Sequence, residues 1–133
     1  MKKTLATVLF SVLVAFAENL TIEGKLSEIA GKMPPNDLYS YVYVMKYKVT
    51  KVVEGKFGAR EILVGVYNPL VPRGQVTDKM ASKAKGNVRA FRIGDRHLLK
   101  LVPLEGNYDG AVEDEYFDDE SDRFLAVEVL DAK

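Results

Sequence analysis

Residues 39–53 read YSYVYVMKYKVTKVV, and this stretch decides the fold. β-branched and aromatic side chains dominate it, which suits a pleated, half-buried strand. Met45, Tyr47 and Val49 alternate with Lys46, Lys48 and Thr50, a period of two. The apolar parity then changes, because Val52 lies on the even register. A one-residue slip would turn every later side chain to the wrong face, so a β-bulge near Thr50-Lys51 is expected. Such a bulge also bends a long strand, as closing a small barrel requires.

Working outward, Glu54-Gly55-Lys56-Phe57-Gly58 supplies a hairpin loop, and Arg60 to Tyr67 is the return strand with Ile62, Val64 and Val66 in register. Asn68-Pro69 and Pro72-Arg73-Gly74 stop that strand, since proline cannot donate to a ladder. Upstream, Leu20, Ile22 and Leu26 share one parity and predict a first strand, with Gly24 marking a bulge or close approach. Met33 to Asp37 is a loop by composition. Downstream, Thr77 to Lys85 has helix chemistry: Thr77 to cap, Asp78 for the positive end, later lysines, and Gly86 to close. At this length the helix would have to lean on the sheet. After a turn at Phe91–Asp95 come strands over 96–102 and 123–130. Strand, strand, strand, short helix, strand, strand is the order of a five-stranded Greek-key barrel of the oligonucleotide/oligosaccharide-binding (OB) type, with one short helix between strands 3 and 4.

The segments Tyr41–Gly55, Glu61–Val64 and Phe91–Leu99 together resemble the netrin-like modules and the tissue inhibitors of metalloproteinases. There an alternating strand ends in V-x-x-V-x-x-G, a return strand follows, and a hydrophobic-G-x-x-hydrophobic-L strand closes the barrel. The resemblance implies a netrin-like barrel. Inhibition by that family runs through an N-terminal cysteine on zinc, and this chain has no cysteine, so that mode does not carry over. Glu54-Gly55, the Gly94-Asp95-Arg96 turn and the acidic stretch before the last strand are also similar to small barrel domains that accompany bacterial enzymes acetylating envelope polysaccharides.

The first 17 residues read as targeting. Lys2-Lys3 precede an uncharged run, Thr4 to Ala17, too short for a hydrocarbon core that needs about 20 residues. Ala15-Phe16-Ala17 places small residues where a signal peptidase reads. Residues 1–17 are therefore expected to be a bacterial signal peptide, and 18–133 a single periplasmic or secreted domain without a membrane span. Removing Lys2 and Lys3 leaves 17 basic and 19 acidic side chains, net −2, which argues against a nucleic-acid partner. With 133 residues and 47% hydrophobic content the chain can bury a core unaided. The lack of cysteine excludes disulfides, thiolate metal sites and cysteine nucleophiles, and a single histidine excludes a multi-histidine metal site.

Chemistry-bearing motifs are few. His97 lies within a predicted strand, on the parity of Leu99 and Leu101, where a core or rim role outweighs a catalytic one. No G-x-S-x-G, phosphate-cradling glycine loop or H-E-x-x-H occurs. No catalytic residue and no cofactor is expected, and the chain reads as a non-enzymatic binding module that meets a protein or an envelope component through its loops. Residues 105–122 hold nine carboxylates and no base, while 73–100 are strongly basic. The acidic run is a solvated or internally paired loop, a partner contact, or a Ca²⁺ site at Asp114, Asp118, Asp119, Glu120 and Asp122. Arg73, Arg92 and Arg96 are candidate binding residues on the basic side. Tyr39, Tyr41, Tyr43 and Tyr47 share one parity. Tyr43 and Tyr47 are expected in the core, whereas Tyr39 and Tyr41, nearest the strand's start, are candidates for stacking on sugar rings, the carbohydrate-binding alternative.

Overall fold

A computed structural model describes residues 20–132, so the expected signal peptide lies outside the described residues. The strands are β1 (Leu20–Glu28), β2 (Val42–Glu54), β3 (Glu61–Tyr67), β4 (Lys85–Gly86), β5 (Arg96–Pro103), β6 (Val112–Glu113) and β7 (Arg123–Asp131). The protein is mainly β, built on one sheet of order β1-β5-β7-β3-β2-β6, with β4 attached to β7. β1 also pairs with β2, so each of the five long strands has two long neighbours. Among those five, β3 and β7 run parallel, and the other four pairings are antiparallel.

The parity change in β2 is a bulge, as expected. Lys51 faces Glu23 and Val49 faces Gly24, which leaves Thr50 over. Its hydroxyl donates to the Glu23 carbonyl at 3.0 Å. Two further register shifts lie along the same pairing, one leaving Val53 over on β2 and one leaving Ser27 over on β1. Ser27 compensates by donating to the Lys46 carbonyl at 3.1 Å. Each extra residue adds local twist, so the β1–β2 pair bends across its length.

Inward-facing residues of the long strands form the main core: Ile22 and Leu26, Tyr43 to Tyr47 at every second position, Ile62 to Val66 likewise, Leu99 and Leu101, Ala126 and Val129. A second cluster covers the opposite face, where Val42, Tyr67, Met80 and Leu125 are buried beneath Val76, Leu104 and Tyr108. Loops 68–84 and 104–111 thus serve as a lid on what would otherwise be an exposed apolar sheet.

The expected helix over 77–85 is not present. A single 3₁₀ turn, Ala81–Lys83, stands in its place. Thr77 does not cap it: Met80 stands at the turn's N-terminus without a side-chain cap, and Asp78 Oδ1 accepts the Met80 N–H at 2.8 Å just before the turn. The chain then stops after one turn, because Met80 and Ala84 must reach the second cluster and the sheet. Nine residues with a narrow apolar stripe gain more from that burial than from a costly helical nucleus. Immediately after, Gly86 runs at φ +133°, and a Cβ there would overlap the Val129 backbone. Glycine is what lets β4 lie against β7. No helix among the described residues is long and apolar enough to cross a membrane.

Candidate functional site

At the end of the sheet where β2 begins and β3 ends, two turns are tied together by one residue. Asn68 is buried and adopts φ +41°, a left-handed conformation that asparagine tolerates better than other side chains. Its Oδ1 accepts the buried Tyr41 N–H at 3.0 Å and the Asn36 side-chain amide at 3.0 Å. Its Nδ2 donates to Ser40 at 3.1 Å, and its own N–H donates to the Tyr41 carbonyl at 2.9 Å. Arg73 closes the turn from beneath. One terminal nitrogen, Nη2, donates to the carbonyls of Tyr67, Asn68 and Val71 at 2.7, 2.8 and 3.0 Å.

On this rigid platform stand apolar side chains in water. Leu38 is 73% exposed, Leu70 52% and Tyr39 40%. Val112, 40% exposed, joins them through the parallel pairing of β6 with Val42. Isolated exposed leucines are ordinary, but several on mutually hydrogen-bonded turns make a candidate contact surface. Tyr39 donates its hydroxyl to Glu113 at 2.6 Å, and that bond raises its pKa. The tyrosine is thus held upright beside a carboxylate.

The tyrosines divide differently from the expectation. Tyr41 has no exposed surface, so it cannot stack on a sugar ring. β2 begins at Val42, not at residue 39. The preceding loop doubles back over Tyr41, whose hydroxyl donates to the Pro34 carbonyl at 2.5 Å. Tyr43 and Tyr47 are buried as expected, Tyr43 donating to the Ala30 carbonyl. Each such ring removes about 150–250 Å² from water, worth up to about 4–6 kcal/mol, far more than a stacking site exposed for occasional use would retain.

Arg73, named as a binding candidate, is likewise buried. Its guanidinium lies 5.7 Å from the Phe91 ring, and burial lowers its pKa to about 10, so it remains charged at neutral pH. Its Nε and Nη1 have no partner among the described residues. Arg92 and Arg96 do face solvent, on the 91–96 turn at the start of β5.

The acidic segment is organised by Arg123, the first residue beyond it. Its Nε meets Asp114 Oδ2 at 2.8 Å, Nη1 donates to the carbonyls of Asp119 and Ser121, and Nη2 donates to that of Tyr116. Lys46 completes the clasp, 5.1 Å from the Tyr116 ring centroid. Burial and the neighbouring Glu28 push the Tyr116 phenol far above its usual range. Asp114 is thus committed to a guanidinium, while Asp119 accepts the Ser121 N–H, and the Ser121 hydroxyl followed by that N–H lowers its pKa. Asp118, Glu120 and Asp122 are not gathered with them: among the described residues no three carboxylate or imidazole groups are placed as a ligand set. Nor does the acidic run pair with the basic segment 73–100 through side-chain ions. The link seen is Lys83 Nζ to the Asn107 carbonyl at 2.7 Å.

His97 is fully buried. Its Nδ1 lies 2.8 Å from the Tyr47 hydroxyl, and its ring sits between those of Tyr47 and Phe91. Burial lowers its pKa below the ordinary 6.5, with Asp95 and Asp131 opposing the shift. Burial raises the Tyr47 phenol, which therefore keeps its proton and shares a hydrogen bond with Nδ1.

The chain matches no protein-family model, no curated protein and no solved structure.

Proposed function

We propose that this protein is an exported, non-enzymatic interaction module on an OB-type, netrin-like barrel, and that it grips a protein partner through the Leu38–Tyr39–Leu70 surface. The observation that carries this reading is the Asn68 knot. A buried side chain in a left-handed conformation ties two loops together, and beside it each loop holds an exposed leucine, Leu38 and Leu70. Such a conformation is kept where the surroundings over-determine it, and pre-organised loops lose little entropy when a partner docks. What supports the barrel is the pairing order β1-β2-β3-β7-β5 and back to β1, with a parallel contact between β3 and β7, the order that a five-stranded Greek-key barrel would need in order to close. The burial of the one imidazole, whose Nδ1 is taken up by Tyr47, supports a non-enzymatic role.

Photo-crosslinking from position 38 or 70 in the envelope fraction tests the proposal. A discrete partner band is expected from both positions, absent when the crosslinker sits at Val53 on the remote end of β2. Loss of the band in Leu70→Asp from position 38, with unchanged melting temperature, would tie binding to the patch. Equal bands from all three positions would refute it. The carbohydrate alternative retains Tyr39 alone among the tyrosines first named for stacking, so it is weaker on this face.

A further inference from the structure

Around the start of β5 the charge balance is the reverse of that in the acidic loop. Arg89, Arg92 and Arg96 line an open cleft together with Asp95 and Asp131. All three arginines are exposed, and none is in an ion pair among the described residues. Beneath the same turn lies Arg73, a buried cation without a carboxylate partner, its guanidinium against Phe91. A charge held in that low-dielectric setting is poorly screened and adds to the field of the surface arginines. Backbone bonds fix the turn's geometry: Gly94 N–H donates to the Leu26 carbonyl at 2.7 Å, and Leu26 N–H donates to that of Asp95 at 2.8 Å. Ile93, 63% exposed, projects from the same turn.

We propose that this cleft binds an acidic polysaccharide, the arginines holding its carboxylate or sulfate groups and Asp95 and Asp131 accepting its hydroxyls. Guanidinium groups suit planar or forked anions through paired N–H donors. The two carboxylates decide the class of ligand. An acidic protein segment or a polyphosphate offers few hydroxyls in return and would be repelled by them, whereas a uronic-acid or sulfated chain presents anions and hydroxyls side by side. Ile93 supplies an apolar surface for the C–H face of a sugar ring. This site lies on different residues from the Leu38–Tyr39–Leu70 surface and goes beyond the proposed protein contact, so either reading can fail alone.

The test is titration of the purified chain with polygalacturonate, dextran sulfate, neutral dextran and poly-glutamate at matched charge concentration. Polygalacturonate or dextran sulfate should bind, the difference between the two identifying the anionic group. Neutral dextran should not bind, and poly-glutamate should bind at least about tenfold more weakly. Arg92→Gln with Arg96→Gln should weaken polysaccharide binding about tenfold or more without changing the melting temperature, while Lys48→Gln with Lys51→Gln on β2 should leave it unaltered. Asp131→Asn should narrow the gap between polysaccharide and poly-glutamate. Equal binding of poly-glutamate would reassign the cleft to an acidic protein and overturn the proposal. So would affinity indifferent to the arginine pair, or no binding of either acidic polysaccharide.

Discussion

Replacing Asn68 tests the platform on which the protein contact is proposed to rest. Asn68→Ala removes the Oδ1 that accepts the buried Tyr41 N–H at 3.0 Å. A buried donor left without a partner costs about 1–3 kcal/mol. Alanine at φ +41° adds about 1 kcal/mol more, because a Cβ with no compensating side-chain bond disfavours the left-handed region. The bonds to Asn36 and Ser40 are partly solvated and count for less. The sum is about 3 kcal/mol. Asn68→Gly loses the same bonds but relieves the conformation, so it should be milder by about 1 kcal/mol. Urea unfolding with matched m-values reads both numbers. An Asn68→Ala loss under about 0.5 kcal/mol, or alanine and glycine variants of equal stability, would refute both the knot and the role given to its backbone conformation.

Further perturbations address other parts of the molecule. The folded pKa of His97 lies below the unfolded 6.5, so the unfolded chain takes the proton first. Stability should be insensitive to this group above about pH 7.5 and fall as pH drops through 6.5, by up to about 1.4 kcal/mol per unit until the folded pKa is reached. His97→Gln should abolish that step in a denaturation series from pH 8 to 5, and an unchanged step would assign it elsewhere. Gly86→Ala should cost at least about 2 kcal/mol, since its Cβ meets the Val129 backbone, whereas Gly58→Ala, with nothing within 4 Å, should be close to neutral; comparable losses would refute the close-approach argument. Arg123→Gln should release residues 114–122, seen as faster amide exchange at Tyr116 and Ser121 with slow exchange kept at Leu99. Millimolar Ca²⁺ should move the melting temperature by less than about one degree, because Asp114 is already paired with Arg123; a larger rise would restore the calcium reading.

The strands were legible because their signal is local. Alternation in Met45–Val49, the parity change at Val52 and proline stops after Tyr67 each depend on a few adjacent residues, and the bulge followed from the pattern alone. What stayed hidden depends on contacts across the chain. Arg73 looks like an exposed cation in sequence, yet Phe91 and three carbonyls bury it. Tyr41 has the parity and composition of a stacking residue, but a loop with no periodicity of its own covers it. The helix over 77–85 failed for a related reason: capping residues announce where a helix can begin, while its length is set by what Met80 and Ala84 must cover. Asn68-Pro69 was readable as a strand stop. Its second role, binding residues 36–41, was invisible because those partners lie some thirty positions away.

The buried polar groups bear on how the proposed contact surface is held. Arg73 and Tyr41, offered by the sequence as ligand contacts, are buried and close the same end of the sheet, around the β1–β2 and β3–β5 connections, as does the imidazole of His97, expected in the core or at its rim. Filling that end with hydrogen-bonded polar side chains fixes the loops above it, and fixed loops can hold leucines in water without collapsing onto them. The acidic loop acts on the outer surface instead, where Arg123 turns a self-repelling segment into a cover for β2 and its carboxylates flank the apolar patch through Glu113. On the proposed contact, the buried polar groups serve binding only indirectly. Conservative changes such as Arg73→Lys should then weaken partner capture in proportion to lost stability, whereas Leu70→Asp should weaken it at constant stability. Arg73→Lys abolishing capture while the melting temperature stays fixed would show that the buried guanidinium meets the partner itself, and the division of labour would have to be redrawn.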